Sequence, residues 1–377
     1  MLQLDALRFF AVFGVMITHF WHPRKLPFLL RDLDLGGLGV RLFFVLSGFL
    51  ITGILLECRE MRDHSSIPPR FYIRQFYARR FLRIFPIYYL VIFVAFIINL
   101  SPTREVWPWL MTYTTNIYIT IFQDWVGSFG HFWTLAVEEQ FYFFWPWLVL
   151  FAPKKWLVPA LIAIISLAPP YRLFAYYRFP FDIGAMDFKA GTFILGHLDS
   201  LGIGALLAVA WQSNIKKETL QKYLTRVVLP IGLLIVTSTL LLFHYRLLPS
   251  VVFITGDLGT GMISAWLVSY AGFGFTGLVG KILEYAPFTY LGKISYGIYV
   301  YHNFMPLILI PIFGYLDIPL QVPGRINFLL SGLLTVVIAS LSWHLVELPI
   351  NNLKRHFQYA AKPTPTISQI QLTEGKR

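Results

Sequence analysis

The composition of this 377-residue chain excludes a soluble globular protein. Hydrophobic residues make up 56% of the sequence and aromatic residues 18%, whereas charged residues make up only 13%, and the mean hydropathy is +0.63. The formal charge of +12 would suggest nucleic-acid binding in a soluble protein, but in a membrane protein it indicates cytoplasmic loops rich in Lys and Arg. We therefore expect the lipid bilayer, and no nucleic acid, as a partner.

The cysteine and histidine content argues against metal and redox chemistry. Cys58 is the single cysteine and cannot form an internal disulfide, and no spacing of Cys and His resembles a zinc site. We expect no metal in the functional site.

Apolar segments long enough to cross a bilayer recur along the whole chain. A transmembrane helix needs about 20 consecutive apolar residues. Ten segments approach this length: 4–22, 37–56, 81–100, 132–151, 156–170, 192–211, 227–243, 250–270, 289–313 and 327–347. The sequence therefore predicts an all-α polytopic membrane protein with about ten transmembrane helices. We interpret the first segment as a retained span, because it lacks the basic start and the cleavage site of a signal peptide.

The segment 104–122 differs from the ten predicted spans. It is aromatic rather than aliphatic, with Trp107, Trp109, Tyr113 and Tyr118. Aromatic residues of this kind are typical of membrane interfaces. We expect an interfacial or re-entrant segment rather than an eleventh span.

The basic residues give an independent test of the predicted topology. With the N-terminus in the cytoplasm, the cytoplasmic loops and tail hold eighteen of the 31 Lys and Arg residues, the opposite loops hold nine, and four lie in or at the ends of spans. Short cytoplasmic loops are the ones enriched in Lys and Arg. Both termini are therefore predicted to be cytoplasmic.

The chain reads as one membrane domain followed by a short tail. Residues 1–357 contain all the predicted spans, whereas residues 358–377 are polar and interrupted by Pro363 and Pro365. This composition is typical of a flexible segment. We expect a flexible cytoplasmic tail at 358–377.

The first predicted span contains two ionisable residues, Arg8 and His19. A charged side chain inside a span costs about 2.5–3.5 kcal/mol on insertion scales, so each one is a candidate for function. Eleven residues separate the two by about 16 Å along a helix and by only about 20° around it. They could form two stations along one internal passage. Alternatively, Arg8 extends to the lipid headgroups and His19 ends the span at the outer interface.

The fourth predicted span contains two adjacent carboxylates, Glu138 and Glu139. Their side chains point about 100° apart, so they cannot share one partner. In the predicted topology, Glu138 lies in the same outer half of the membrane as His19. A carboxylate beside a histidine makes the imidazole a general base, because it fixes the tautomer and stabilises the imidazolium. The alternative is a carboxylate that only bridges helices.

Arginines cluster around the predicted start of the third span. Arg80 and Arg83 are spaced three residues apart and share a helix face, and Arg70 and Arg74 precede them. Two guanidinium groups at a helix N-terminus suit a phosphate group. Anionic lipid headgroups and the positive-inside rule could also account for several of these arginines.

Polar residues in other spans are weaker candidates. Ser47 lies in a span where small residues could serve helix packing alone, and Arg41 could extend to the outer interface. Tyr296 and His302 fall in the ninth predicted span. We consider Ser47, Tyr296 and His302 as substrate-binding or oxyanion-stabilising residues, with a purely structural role open for each.

These segments together resemble the acyltransferase 3 family of integral-membrane acyltransferases, which acylate O-antigen, peptidoglycan, exopolysaccharide and related acceptors. The resemblance runs over nearly the whole chain. Its motifs are Arg8 and His19, the Phe-Phe-Val-Leu-Ser-Gly-Phe sequence at 43–49, Arg80 and Arg83, the pattern from Trp133 to Tyr142, and the signatures at 295–299 and 347–349. Many members carry an acidic residue at the position of Arg41, so no role is carried over to it.

The resemblance implies a bacterial inner-membrane enzyme that transfers an acyl group, most often acetyl, from cytoplasmic acyl-CoA to a hydroxyl of a glycan or related acceptor. The residues themselves suggest a route for this reaction, with His19 and Glu138 as catalytic residues and Arg8, Arg80 and Arg83 as acyl-CoA-binding residues. Some members have an additional soluble SGNH-type domain. We expect none here, so the chain would complete the transfer itself or pass the acyl group to a separate protein.

A different functional class also fits the intramembrane charges. In a proton-coupled transporter or flippase for an anionic or glycan substrate, Arg8, His19 and Glu138 would form a relay that makes no covalent bond. Such proteins often contain inverted repeats, and no repeat is evident in the sequence. We therefore prefer the acyltransferase.

Overall fold

The computed structural model describes residues 2–21, 33–179, 189–317 and 324–359. This part of the chain is helical throughout its regular structure. The helices are α1 (Leu2–Phe20), α2 (Leu35–Asp63), α3 (Pro69–Ile97), α4 (Thr103–Met111), α5 (Thr115–Phe122), α6 (Phe132–Phe151), α7 (Lys154–Arg178), α8 (Leu198–Gln212), α9 (Lys217–His244, with a π-helical turn at Leu224–Val228), α10 (Pro249–Phe273), α11 (Gly277–Leu283), α12 (Ala286–Lys293), α13 (Ser295–Tyr301), α14 (Met305–Tyr315), α15 (Arg325–Ser342) and α16 (Leu348–Asn352).

Short 3-10 and π turns extend several of these helices into longer rods. The turn Ile194–His197 precedes α8, His302–Phe304 joins α13 to α14, and Trp343–Glu347 joins α15 to α16. Within the described ranges, nine rods are long and apolar enough to cross a membrane. This confirms the predicted all-α polytopic membrane fold.

The fourth predicted span corresponds to α6, which lies outside that set of nine. The run Glu138-Glu139-Gln140 lowers the mean hydropathy of this 20-residue helix. Helix α6 nevertheless lies inside the bundle, since Phe132, Val137 and Val149 are fully buried. Its polar residues face other helices and cavities rather than lipid. For this reason, hydropathy alone does not identify α6 as a membrane-spanning helix.

Helix α3 begins at Pro69, twelve residues before the predicted start of the third span. Proline suits the first turn of a helix, because the amide that it lacks would have no partner there. The helix therefore has 29 residues, more than a span requires. As a result, Arg80 and Arg83 lie near the middle of α3, which corrects the prediction that they lie at its start.

The aromatic segment 104–122 folds as two short helices, α4 and α5, rather than as a span. The turn between them contacts α6, where the Gln140 amide donates to the Tyr113 carbonyl at 2.9 Å and to Asn116 Oδ1 at 2.8 Å. The Tyr88 hydroxyl on α3 donates to the Leu110 carbonyl at 2.7 Å. The bonds to Tyr113 and Leu110 satisfy backbone carbonyls at the end of α4 and in the turn that follows it, and the bond to Asn116 ties α5 to α6.

Helices α2 and α8 approach so closely that glycines form their contact. A Cβ atom at Gly204 would lie 2.1 Å from the Val45 carbonyl oxygen, and one at Gly48 would lie 2.0 Å from the Leu201 carbonyl oxygen. Small residues allow membrane helices to pack backbone against backbone. This contact fixes α2 against α8, and both helices carry residues of the functional site.

We predict that Gly204→Ala destabilises the protein by about 1–3 kcal/mol, because the added methyl group overpacks the contact. Thermal unfolding in detergent, followed by tryptophan fluorescence, would measure the change. Gly314→Ala is the matched control, since a Cβ at Gly314 meets no atom within 4 Å. An unchanged midpoint for Gly204→Ala would contradict the tight contact.

Candidate active site

Two cavities lie one above the other in the bundle. The inner cavity, about 220 Å³, is lined by Arg8, Ser47, Arg80, Arg83, Glu138 and Tyr296, among others. The outer cavity, about 730 Å³, is lined by His19, Asp34, Arg41, His131, His197 and Asp257, among others. Val40 on α2 and Tyr299 on α13 line both cavities. One layer of side chains therefore separates them.

Helix α1 connects the two cavities along its length. Arg8 faces the inner cavity and His19, eleven residues later, faces the outer one. This is the arrangement of two stations along one passage that the helical spacing of Arg8 and His19 allows. In the orientation predicted from the basic residues, the inner cavity lies toward the cytoplasm.

The His19 imidazole contacts a second imidazole, that of His302. Nδ1 of His19 lies 2.7 Å from Nε2 of His302, and the rings stack with their centroids 4.9 Å apart. Nδ1 of His302 in turn lies 2.6 Å from the Tyr299 carbonyl oxygen. His302 is completely buried. The 3-10 turn at His302–Phe304 therefore holds one imidazole rigidly against the other.

These contacts determine the tautomers of a neutral pair. A carbonyl oxygen only accepts hydrogen bonds, so Nδ1 of His302 donates to Tyr299 and Nε2 of His302 is left to accept. Nδ1 of His19 then donates to His302, and Nε2 of His19 keeps its lone pair. We assign the protons from this hydrogen-bond network. His19 thus has the protonation state of a general base.

A third imidazole, His131, lies beside this pair. Its ring centroid is 4.6 Å from that of His302, and its Nε2 lies 3.3 Å from the Val300 carbonyl oxygen. Among the described residues, no group of three or more His, Cys, Asp or Glu side chains is arranged to hold a metal ion. His131 instead packs against the edge of His302.

Glu138 does not contact His19, contrary to the prediction. It lines the inner cavity, where it accepts a short hydrogen bond from the Ser47 hydroxyl, and Ser47 accepts one from Tyr142 at 2.9 Å. The side chain that contacts His19 is instead His302. The 3-10 extension of helix α13 supplies this side chain.

Arg80 and Arg83 face the inner cavity without a carboxylate partner. Within the described ranges, neither side chain takes part in an ion pair or a hydrogen bond, whereas Arg8 forms an ion pair with Asp5 at 2.6 Å. Arg80 packs against the ring of Tyr142, with Cζ 5.4 Å from the centroid. Glu138 and Glu139 line the same cavity, but neither guanidinium group is bound to a carboxylate, and two such groups suit a phosphate group.

The hydroxyls of Ser47 and Tyr296 are already in use as donors. Ser47 donates to Glu138, and Tyr296 donates to the Ile84 carbonyl oxygen at 2.7 Å. An oxyanion-stabilising role for either hydroxyl would therefore require it to exchange partners. Both nevertheless line the inner cavity, as residues that contact a bound substrate would.

A lateral cavity of about 650 Å³ adjoins the inner one. It lies between α3, α6 and the tip of the α4–α5 hairpin, where Thr112 and Tyr113 line it. Arg80, Glu139 and Tyr142 line both this cavity and the inner one. The space around Arg80 is thus much larger than the inner cavity alone.

Comparison with known proteins identifies the family of this chain. A family profile described as an acyltransferase domain matches residues 1–344. The chain is 26% identical over 375 residues to O-acetyltransferase OatA of Staphylococcus aureus strain NCTC 8325, which covers 92% of this chain and 56% of the relative.

Two further relatives show the same extent of similarity. The putative peptidoglycan O-acetyltransferase YrhL of Bacillus subtilis strain 168 is 27% identical over 92% of this chain and 54% of its own length. Peptidoglycan O-acetyltransferase OatA of Listeria monocytogenes is 27% identical over 92% of this chain and 55% of its own length. The chain thus spans about half the length of these curated relatives. No solved structure matches it.

The chain belongs to the acyltransferase 3 family. Its membrane-spanning helices and the family profile together make it an integral membrane protein of that family. Family membership supports the enzyme class over the transporter considered from the intramembrane charges.

This acyltransferase also has a charged wall in its outer cavity that sequence reasoning missed. Asp257 on α10 bridges two arginines: its Oδ1 lies 2.5 Å from Arg41 Nη2, and its Oδ2 lies 3.2 Å from Arg172 Nη2. Arg172 also contacts Asp199 at 2.7 Å, and Arg41 contacts Asp34 at 3.2 Å. We refer to Asp34, Arg41, Arg172, His197, Asp199 and Asp257 as the outer charged cluster.

The outer charged cluster corrects two readings of the sequence. Arg41 is not an isolated arginine that extends to the outer interface, because it pairs with Asp257 and Asp34 at the cavity. The predicted span 156–170 leaves Arg172 in a loop, whereas α7 continues to Arg178 and buries Arg172. Two acidic residues inside predicted spans, Asp199 and Asp257, were the signal that could have revealed the cluster.

We predict that Arg172→Met destabilises this acyltransferase by about 3–5 kcal/mol, because it leaves the Asp199 carboxylate buried without its partner. The loss of monodisperse protein and the fall in unfolding midpoint in detergent would measure it. Adding Asp199→Leu should recover part of the loss, since it removes the orphaned charge. Arg178→Met, at the exposed end of α7, is the control; equal midpoints for the two single variants would contradict the prediction.

Proposed function

We propose that this chain transfers an acetyl group from acetyl-CoA on the cytoplasmic side to a hydroxyl group of a peptidoglycan-like glycan on the other side of the bacterial cytoplasmic membrane. The observation that carries the proposal is the pair of adjoining cavities, one lined by arginines and the other by His19, with Val40 and Tyr299 lining both. The relatives named as O-acetyltransferases support the reaction class.

The inner cavity suits the donor. The phosphate groups of coenzyme A are anions, and Arg80 and Arg83 face the cavity with no described carboxylate as a partner. Arg8 contributes a third guanidinium group. The adjoining lateral cavity gives the large donor more space around Arg80. In this scheme Glu138 lies among the donor-binding residues as a counter-charge to the arginines, rather than beside the reacting histidine.

The outer cavity suits the transfer step. Nε2 of His19 takes the proton from the acceptor hydroxyl as its oxygen attacks the thioester carbonyl. The carbon–sulfur bond breaks, an ester forms, and His19 returns the proton to the departing thiolate of coenzyme A. His302 holds the His19 ring and accepts its Nδ1 proton in a hydrogen bond, which stabilises the imidazolium during the transfer.

The acceptor enters the outer cavity from the non-cytoplasmic side. Its volume of about 730 Å³ lies in the range of sites that bind small molecules or sugar units. A separate protein that takes over the acyl group would present its hydroxyl at the same place. The donor and acceptor thus approach the reaction centre from opposite sides of the membrane.

We predict that His19→Ala lowers kcat for acetyl transfer by about 10²–10⁴-fold, the usual contribution of a general base, and leaves the Kd for acetyl-CoA unchanged. His302→Ala should lower kcat by a smaller factor, because His19 remains but loses its orienting partner. Purified protein in nanodiscs with radiolabelled acetyl-CoA and a glycan acceptor would measure both values.

His64→Ala is the matched control, because this histidine is exposed at the end of α2 and lines none of the three cavities. Transfer at the wild-type rate by His19→Ala would rule out the base. A wild-type rate for His302→Ala would rule out the orienting role of His302 but not the role of His19 as the base.

We predict that Arg83→Ala raises the KM for acetyl-CoA by about tenfold or more, because it removes one charged partner of a phosphate group, and changes kcat little. Arg70→Ala removes an exposed positive charge from the first turn of the same helix and should leave the KM unchanged. The salt dependence of the KM separates direct phosphate binding from general attraction. Equal KM values in the two variants would contradict the assigned phosphate site.

A further inference from the structure

The outer charged cluster is not used by the proposed transfer step. It lines the outer cavity together with His19, through Asp34, Arg41, Arg172, His197 and Asp257. An ion-pair network in a membrane protein is costly to build, since each charge must be taken out of water. The Arg172–Asp199 pair is buried between helices, whereas Asp34, Arg41, His197 and Asp257 also line the cavity wall, where a ligand could contact them.

His197 gives an independent indication of a ligand. Its side chain is 94% buried, yet among the described residues neither ring nitrogen makes a hydrogen bond of good geometry, and the Gly191 backbone interacts with the ring only loosely. Asp257 Oδ2 lies 3.8 Å from Nδ1 of His197, which is beyond hydrogen-bonding distance. A buried polar group without a partner lowers stability. Such a group on a cavity wall is explained by a ligand that supplies the partner.

Aromatic rings hold His197 in this position. Its ring stacks on Trp133 with centroids 4.9 Å apart and packs against Phe44 at 5.1 Å. The side chain therefore cannot turn away freely to find another partner. Trp133 and Trp125 also line the outer cavity, and they offer apolar faces next to the charged cluster.

The charges of the cluster determine what kind of ligand fits. Two arginines, Arg41 and Arg172, are paired with three aspartates, Asp34, Asp199 and Asp257. With neutral His197 the cluster therefore has a net charge of about −1. An anionic ligand would find both guanidinium groups already engaged and an excess of negative charge. Neutral hydroxyl and amide groups, which donate and accept, can bond to all of these side chains.

We propose that the outer charged cluster is the acceptor subsite and that it binds an uncharged, hydroxyl-rich sugar unit, with His197 as a hydrogen-bonding residue. The proposal rests on the proposed function for the reaction that follows binding, but the subsite itself can be tested by binding alone. It separates recognition of the sugar, by His197 and Asp257, from the chemical step at His19.

The first experiment measures binding of a tetrasaccharide of N-acetylglucosamine to the full chain in nanodiscs. His197→Leu should raise the Kd by about tenfold, because it removes a donor and an acceptor from the subsite. Its unfolding midpoint should equal or exceed that of wild type, since no described partner is left unpaired. The matched control His64→Leu should leave both values unchanged.

A second variant keeps the test independent of His197. Asp257→Asn preserves shape but removes the charge that bridges Arg41 and Arg172, and it should also weaken tetrasaccharide binding, by at least threefold. The Kd for acetyl-CoA should stay the same in both variants, because its binding residues line the other cavity. Variants that bind the tetrasaccharide as wild type does would overturn the subsite.

A comparison of a neutral and an acidic tetrasaccharide tests the preference for an uncharged ligand. A tetrasaccharide of alternating N-acetylglucosamine and glucuronic acid matches the first probe in length but carries carboxylates. We expect the neutral probe to bind at least tenfold more tightly. Tighter binding of the acidic probe, or no binding of either, would overturn the proposal. A wild-type chain that binds the neutral probe but transfers no acetyl group would contradict the proposed function and leave the subsite standing.

Discussion

A polar side chain in the middle of a bilayer needs a partner or an aqueous cavity, and this requirement organises the interior of the chain. Nearly every described ionisable residue in the bundle either pairs with another or faces one of three adjoining cavities. The His19–His302 contact is central among them, because it fixes the direction in which a lone pair points. His19 and the outer charged cluster face the outer cavity, whereas Arg8, Arg80 and Arg83 face the inner one. One layer of side chains separates the two cavities.

Much of the fold could be predicted from the sequence, because each span is a run of apolar residues whose length matches the bilayer. The absence of a span at 104–122 was predicted for a similar reason, since aromatic residues replace aliphatic ones there. Helix boundaries were less predictable. Helix α3 extends through a polar, arginine-rich segment that hydropathy excludes, and α6 is central despite its carboxylates because cavities and other helices surround it.

The candidate site was predictable as a set of residues but not as a set of contacts. Any ionisable side chain within a span attracts attention, so His19, Glu138 and the arginines could be chosen from the sequence alone. Which of them meet depends on the rotation and depth of each helix, and a shift of a few residues moves a side chain by several ångströms. His302 rather than Glu138 reaches His19 for that reason, and Arg172 entered the bundle because α7 continues beyond its apolar part.

The thin partition between the two cavities has a consequence for the cell as well as for catalysis. A continuous chain of water molecules between the two cavities would let protons leak across the membrane and dissipate the proton gradient. Val40 and Tyr299 line both cavities, and the Tyr299 hydroxyl forms a hydrogen bond with the Thr134 hydroxyl at 2.6 Å. In the proposed reaction, a substrate arm that passes between them would have to fill the gap that it opens, so the energised membrane would limit how wide the route can be.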